Sequence, residues 1–137
     1  MARQAIPKGA DLYHGTNVEE DFRLPHGPAW FGDTFSVAKN FATYHSDEGP
    51  PRVYHFRARR RISGLILIES KDEYDRQMDE LAEKTGHSRN VRGDAEIVCD
   101  ARLNGWIIPN NYPDGADIML CRPEDWLEFI DVAKLED

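Results

Sequence analysis

The heptapeptide DLYHGTN, Asp11 to Asn17, is the stretch on which the reading of the fold turns. Its first half alternates: Leu12 and His14 fall on one face of an extended chain and Tyr13 on the other, the pattern of a strand with one side turned to a core. Gly15 then closes the run. Taken alone, this is a strand end followed by a turn. Two later segments give it more meaning: PAWFGDTFSVAKNFATY at 28–44 and DGADIMLCRPEDW at 114–126.

Working outward, NVEEDFRLPHGP reads as a loop because two prolines and a glycine interrupt it. AWF is a short strand broken by Gly32-Asp33. Asp33 is placed to cap a helix over TFSVAKNFATYH, where Phe35, Val37, Ala38, Phe41 and Ala42 recur at helical spacing. RVYHFRARRRISGLILIES predicts two strands parted near Ser63-Gly64. Tyr54, Phe56 and Ala58 lie on one face there, and Arg57, Arg59 and Arg61 on the other. KDEYDRQMDELAEKTG predicts a surface helix with Tyr74, Met78 and Leu81 inward and Gly86 at its end. GDAEIVCDARLNG predicts a further helix, capped by Asp94 and stopped by Gly105. A strand WIIP, a loop NNYPDGA, a strand DIMLC and a last strand WLEFIDV complete the chain. Strands dominate without regular βα alternation, so the class expected is α+β, in one domain spanning 1–137.

The 137 residues suit one core, and a hydrophobic fraction of 40% lets it form. The 17 basic against 25 acidic residues leave a net charge of -8, which opposes generic binding to phosphate backbones. RARRR at 57–61 is a basic island, read as an exposed strand face or as a cationic wall for a diphosphate or an acidic partner. Cys99 and Cys121 are too few for a disulfide framework, so a reducing compartment is expected. The start lacks the apolar run of a signal peptide, and LILI is too short to span a bilayer, so a soluble cytoplasmic protein is expected. His14, His26, His45, His55 and His87 show no ligand spacing, and no metal is expected. The neighbouring carboxylates Asp47-Glu48 and Asp79-Glu80 read as solvated surface.

The order of LYHGT, WFGDTFSVAKNFA and ADIMLCRPEDWLEFI resembles the ADP-ribosyltransferase family, in the branch of diphtheria toxin and the poly(ADP-ribose) polymerases. That resemblance implies two small packed β-sheets, antiparallel or mixed, with about three flanking helices. It also implies NAD as substrate. By the same resemblance His14, Gly15 and Thr16 hold NAD. Trp30 stands where the family has tyrosine, and Phe41 is the second aromatic stacking on nicotinamide. Asp117 is the catalytic acid in place of the usual glutamate, with His14 its partner in the catalytic set and Asp114 the fallback acid. Asn110, Asn111, Tyr112 and Asp114 form the loop in which relatives read the acceptor.

The chemistry those residue types suit is cleavage of an N-glycosidic bond. Nicotinamide leaves NAD as a neutral group while positive charge builds on the ribose, so the protein must hold the ring and place negative charge beside the cation. Three functions follow as expectations. The first is a mono-ADP-ribosyltransferase acting on a macromolecule, with protein favoured and a nucleic acid left open, such as a small bacterial or phage effector or toxin. The second is an NAD glycohydrolase, or a weak NAD or ADP-ribose binder. The third is an acidic inhibitor without enzymatic activity.

Overall fold

The computed structural model describes residues 2–18, 21–42 and 49–135. Asp47-Glu48, His45 and the end of the first helix proposed above lie outside them. Eight strands are joined in the order β1-β5-β6-β7-β3-β2-β4-β8. They are β1 (Arg3–Ile6), β2 (Asp11–Thr16), β3 (Ala29–Gly32), β4 (Arg52–Ala58), β5 (Ile62–Leu67), β6 (Gly105–Tyr112), β7 (Gly115–Leu120) and β8 (Leu127–Lys134). Every neighbouring pair is antiparallel except β5–β6, which is parallel. A parallel neighbour needs a crossover, and two helices supply it: α2 (Lys71–Thr85) and α3 (Asp94–Asp100). The third helix, α1 (Phe35–Ala42), follows β3.

The two packed sheets expected are the two halves of this one order. Between β2 and β3 the ladder makes a single paired position, Tyr13 opposite Gly32. On either side of that seam the sheet turns one face inward. Leu12, Phe31, Phe56, Leu65, Ile107, Ile118 and Leu127 meet there in one buried cluster, so both halves close over the same core. The reading of Tyr54, Phe56 and Ala58 as the inner face of β4 is borne out, since all three are buried.

The outer face of β5, β6 and β7 is covered by α2 and α3. Met78, Leu81, Ile97 and Val98 pack there on Ile66, Trp106 and Met119. α2 begins where Ser70 Oγ accepts the Glu73 N–H and ends at Gly86 in the left-handed conformation (φ 74°), as its sequence predicts.

Several local expectations are corrected. Asp33 does not cap α1: Thr34 Oγ1 accepts the Val37 N–H at 3.2 Å, while Asp33 Oδ1 accepts the Ala116 N–H at 2.8 Å. Asp94 does not cap α3; Gly93 holds that position, and the carboxylate of Asp94 is engaged elsewhere. Gly105 does not stop α3, which ends at Asp100, and instead opens β6. The break between β4 and β5 falls at Arg59–Arg61, with only Arg57 of the basic run inside a strand. Asn110, Asn111 and Tyr112 are not loop residues: β6 runs through them into a tight hairpin with β7. Cys99 and Cys121 are joined in a disulfide, because the crossover brings their Cα atoms to 5.6 Å across a sequence separation of 22. No helix among the described residues is long and apolar enough to cross a membrane.

Candidate functional site

The sheet's registers decide which side chains share a face. Asp117 on β7 pairs with Gly32 on β3 and with Ile108 on β6. Cross-strand partners project to the same side, so Asp117, Trp30, Trp106 and Ile108 all point toward α2 and α3. There they line a cavity of about 1050 Å³ between the sheet and the starts of those two helices. Asn110, Asn111, Tyr74 and Asp94 complete its polar wall.

Asp117 is the chemically distinctive group in this cavity. Its Oδ1 is buried and has no hydrogen-bond partner among the described residues. Burial pushes the carboxyl up to about pKa 6. The Trp106 indole N–H is near enough to pull that value back toward the usual range. The contact falls short of hydrogen-bond geometry, however, and Trp106 Nε1 is itself buried without a partner. At neutral pH a carboxyl of this kind is mostly ionised, desolvated and unspent.

Aromatic rings frame the carboxylate. Trp30 keeps 42% of its surface exposed, and its ring lies edge-on to Trp106 with centroids 6.5 Å apart. Tyr74 meets the same indole edge-on at 5.7 Å. The Tyr74 hydroxyl donates to Asp94 Oδ2 at 2.8 Å, and burial together with that negative neighbour raises its pKa far above the ordinary phenol value. Asp94 in turn accepts from Arg89 Nε at 3.0 Å, and Arg89 also reaches Asp79 and Asp75. This knot ties the middle of α2 to the start of α3 and fixes one wall of the cavity. Four acids line the cavity, Glu69, Asp94, Glu96 and Asp117, against the single lining cation Lys71 among the described residues. Arg89 and Arg92 offset Asp94 and Glu96, and Lys71 pairs with Asp75, so Glu69 and Asp117 carry the field that favours a positively charged ligand group.

Of the residues expected at the site, the structure brings together Asp117, Trp30, Asn110 and Asn111. It places the others elsewhere. His14 projects from the face opposite Tyr13, on the side of Phe31: its ring stacks on Phe22 with centroids 4.0 Å apart, and its Nδ1 lies 2.7 Å from the Trp30 carbonyl oxygen. Gly15 is pressed by α1, since a Cβ there would overlap the Ala38 carbonyl. Thr16 Oγ1 accepts the Val18 N–H at 3.1 Å. Phe41 meets Tyr112 edge-on at 5.4 Å on the α1 side of the β6–β7 hairpin. Burial and the charge of Asp117 raise the Tyr112 phenol pKa. Asp114, the fallback acid, is spent on structure: its carboxylate accepts from Ser36 and its carbonyl from Thr34 Oγ1 at 3.1 Å.

Trp106, Tyr74, Asp94 and Phe22 were not singled out by the sequence as site residues. Trp106 and Tyr74 carry an apolar-stripe signal that reads as core. Phe22 sits in a segment whose prolines read as loop.

No family model matches the chain, and no curated protein matches its sequence. Among solved structures it is similar to a chain of the M.tuberculosis MbcT-MbcA toxin-antitoxin complex. The TM-score is 0.50 at 13% identity, over 96% of this chain and 86% of that chain. That likeness concerns the fold alone, which is α+β.

Proposed function

We propose that the chain is an NAD-cleaving enzyme that transfers ADP-ribose to a macromolecular acceptor, protein before nucleic acid. One observation carries this reading: a half-buried carboxylate, Asp117, whose Oδ1 is buried without a partner among the described residues, stands in a cavity walled by Trp30, Trp106 and Tyr74. A carboxylate without a partner is costly to bury, so a fold that keeps one has a use for its charge. Cleavage of the nicotinamide bond supplies that use. The ring of NAD is flat and positively charged before cleavage, which suits an exposed tryptophan face in an acidic cavity. As nicotinamide departs neutral, the positive charge moves to the ribose. Asp117 then stabilises it without reorganisation, because its charge is already desolvated and in place.

His14 takes a supporting role in this reading. By holding the Trp30 carbonyl it sets the backbone that presents the Trp30 ring. Water as the acceptor is the second reading. It is favoured by the engagement of Asp114 with Ser36, which leaves that second acid unavailable to activate a hydroxyl or amine. The likeness to a chain of a toxin–antitoxin complex is in keeping with a toxin role and with a protein partner.

The test is incubation with NAD labelled in the adenosine half, with and without a cell lysate. Label fixed to macromolecules together with free nicotinamide is expected, and both disappear in Asp117→Ala. Nicotinamide without fixed label selects the hydrolase. No nicotinamide release and no binding of NAD would refute both.

A further inference from the structure

Resting on the NAD reading of the cavity, we infer that Trp106 is a substrate-binding residue: its indole N–H and Asp117 Oδ1 together read one hydroxyl of the nicotinamide ribose. Trp106 is only 3% exposed, and its one polar atom, Nε1, is buried without a partner at the cavity wall. Asp117 Oδ1, two positions along in the β6–β7 ladder, is buried without a partner as well. Diagonal neighbours of that kind are within reach of long side chains. One atom is a donor only and the other, when ionised, an acceptor only. A single group that satisfies both at once accepts one hydrogen bond and donates another, and the closeness of the two side chains suits a group that does so through one atom. A hydroxyl does this. A phosphate oxygen offers no proton to Asp117, and an ammonium offers no lone pair to Trp106.

The pairing also orients the reaction. A hydroxyl that donates to Asp117 is polarised toward alkoxide, which places negative charge beside the ribose carbon as the nicotinamide bond lengthens. The indole N–H holds that oxygen from the other side and fixes its lone pairs. Selectivity follows from the same geometry. A ligand lacking the hydroxyl leaves two buried polar atoms unsatisfied, the penalty that makes built polar sites discriminating.

The experiment uses the whole chain and carbocyclic NAD, which keeps both nicotinamide-ribose hydroxyls but cannot form the oxocarbenium ion. Calorimetry compares it with analogues lacking the 2′ or the 3′ hydroxyl, on the wild type and on Trp106→Phe. The wild type is expected to lose about 10-fold in affinity for one of the two analogues. Trp106→Phe is expected to bind the parent about 10-fold more weakly and to discriminate less against that analogue. A second measurement needs no variant: in protein labelled with nitrogen-15 at tryptophan, the Trp106 indole resonance shifts with the parent ligand and stays in place with the selected analogue. Binding of the parent with an unmoved indole resonance overturns the role of Trp106 and leaves NAD cleavage standing. Equal affinity of wild type and a folded Trp106→Phe does the same. No binding of the parent to the wild type overturns both.

Discussion

Replacing Asp117 with asparagine separates the value of this carboxylate to catalysis from its cost to the fold. In the folded chain its pKa stands at about 6, against 3.8 for the free side chain. The folded state therefore holds the proton more tightly than the unfolded one, and charging the group works against folding. Below pH 3.8 there is no penalty. Stability is lost as pH rises from there to about 6, and above that the cost is constant, about 3 kcal/mol. Asparagine has no such titration. Any change in packing or hydrogen bonding that it brings is independent of pH and cancels when two pH values are compared. Urea denaturation of both proteins at pH 4.5 and pH 8 isolates the term. The advantage of Asp117→Asn should be larger at pH 8 than at pH 4.5 by about 2 kcal/mol. At pH 8 the variant should also melt several degrees higher, other changes being small. An advantage that does not grow with pH, or that shrinks, would show that Asp117 is not the desolvated, unpartnered carboxylate described, and the basis for its catalytic role would go with it. The same variant should lose nicotinamide release, so one substitution gains stability and loses activity.

Two further outcomes follow from the packing. Cys99→Ser with Cys121→Ser opens a loop of 22 residues and should lower unfolding free energy by about 3 kcal/mol, read by denaturation under non-reducing conditions. Gly15→Ala places a methyl group against the Ala38 carbonyl and should destabilise by about 1–3 kcal/mol; unchanged stability would mean that α1 does not rest on β2 as described.

The parts of this fold that were legible in sequence are those written in local periodicity. Met78 and Leu81 recur on one stripe, with Ser70 before them and Gly86 after, so α2 could be read with both its ends. Tyr54, Phe56 and Ala58 alternate as a strand half-turned to a core does. What was not legible depends on partners distant in sequence. Asp33 and Asp94 look like helix caps from their neighbours alone. A remote amide at Ala116 competes for the first, and Tyr74 with Arg89 for the second. The disulfide hides for the same reason, since two cysteines carry no signal until β7 and α3 are brought together. At the candidate site, Asp117 and Trp30 could be picked out by motif order. Trp106 could not, because a tryptophan in an apolar strand reads as core until its nitrogen is found without a partner. His14 was recognised as half-buried, but the ring it stacks on, Phe22, comes from a stretch with no periodicity at all.

The seam between β2 and β3 sets where the chain tolerates change. Elsewhere strands are held by repeated backbone ladders, which are indifferent to side-chain identity and absorb substitutions. At the seam the ladder has one rung, and α1 spans the gap, touching β2, β3, β4 and β7. Its grip depends on small residues: Ala38 and Ala42, both fully buried, and Gly15, whose place a larger side chain cannot take. Drift in such a chain is therefore uneven. Three inconspicuous residues carry constraint out of proportion to their size, while long strand surfaces are free to diverge, which is how two chains sharing an architecture can come to retain little sequence in common.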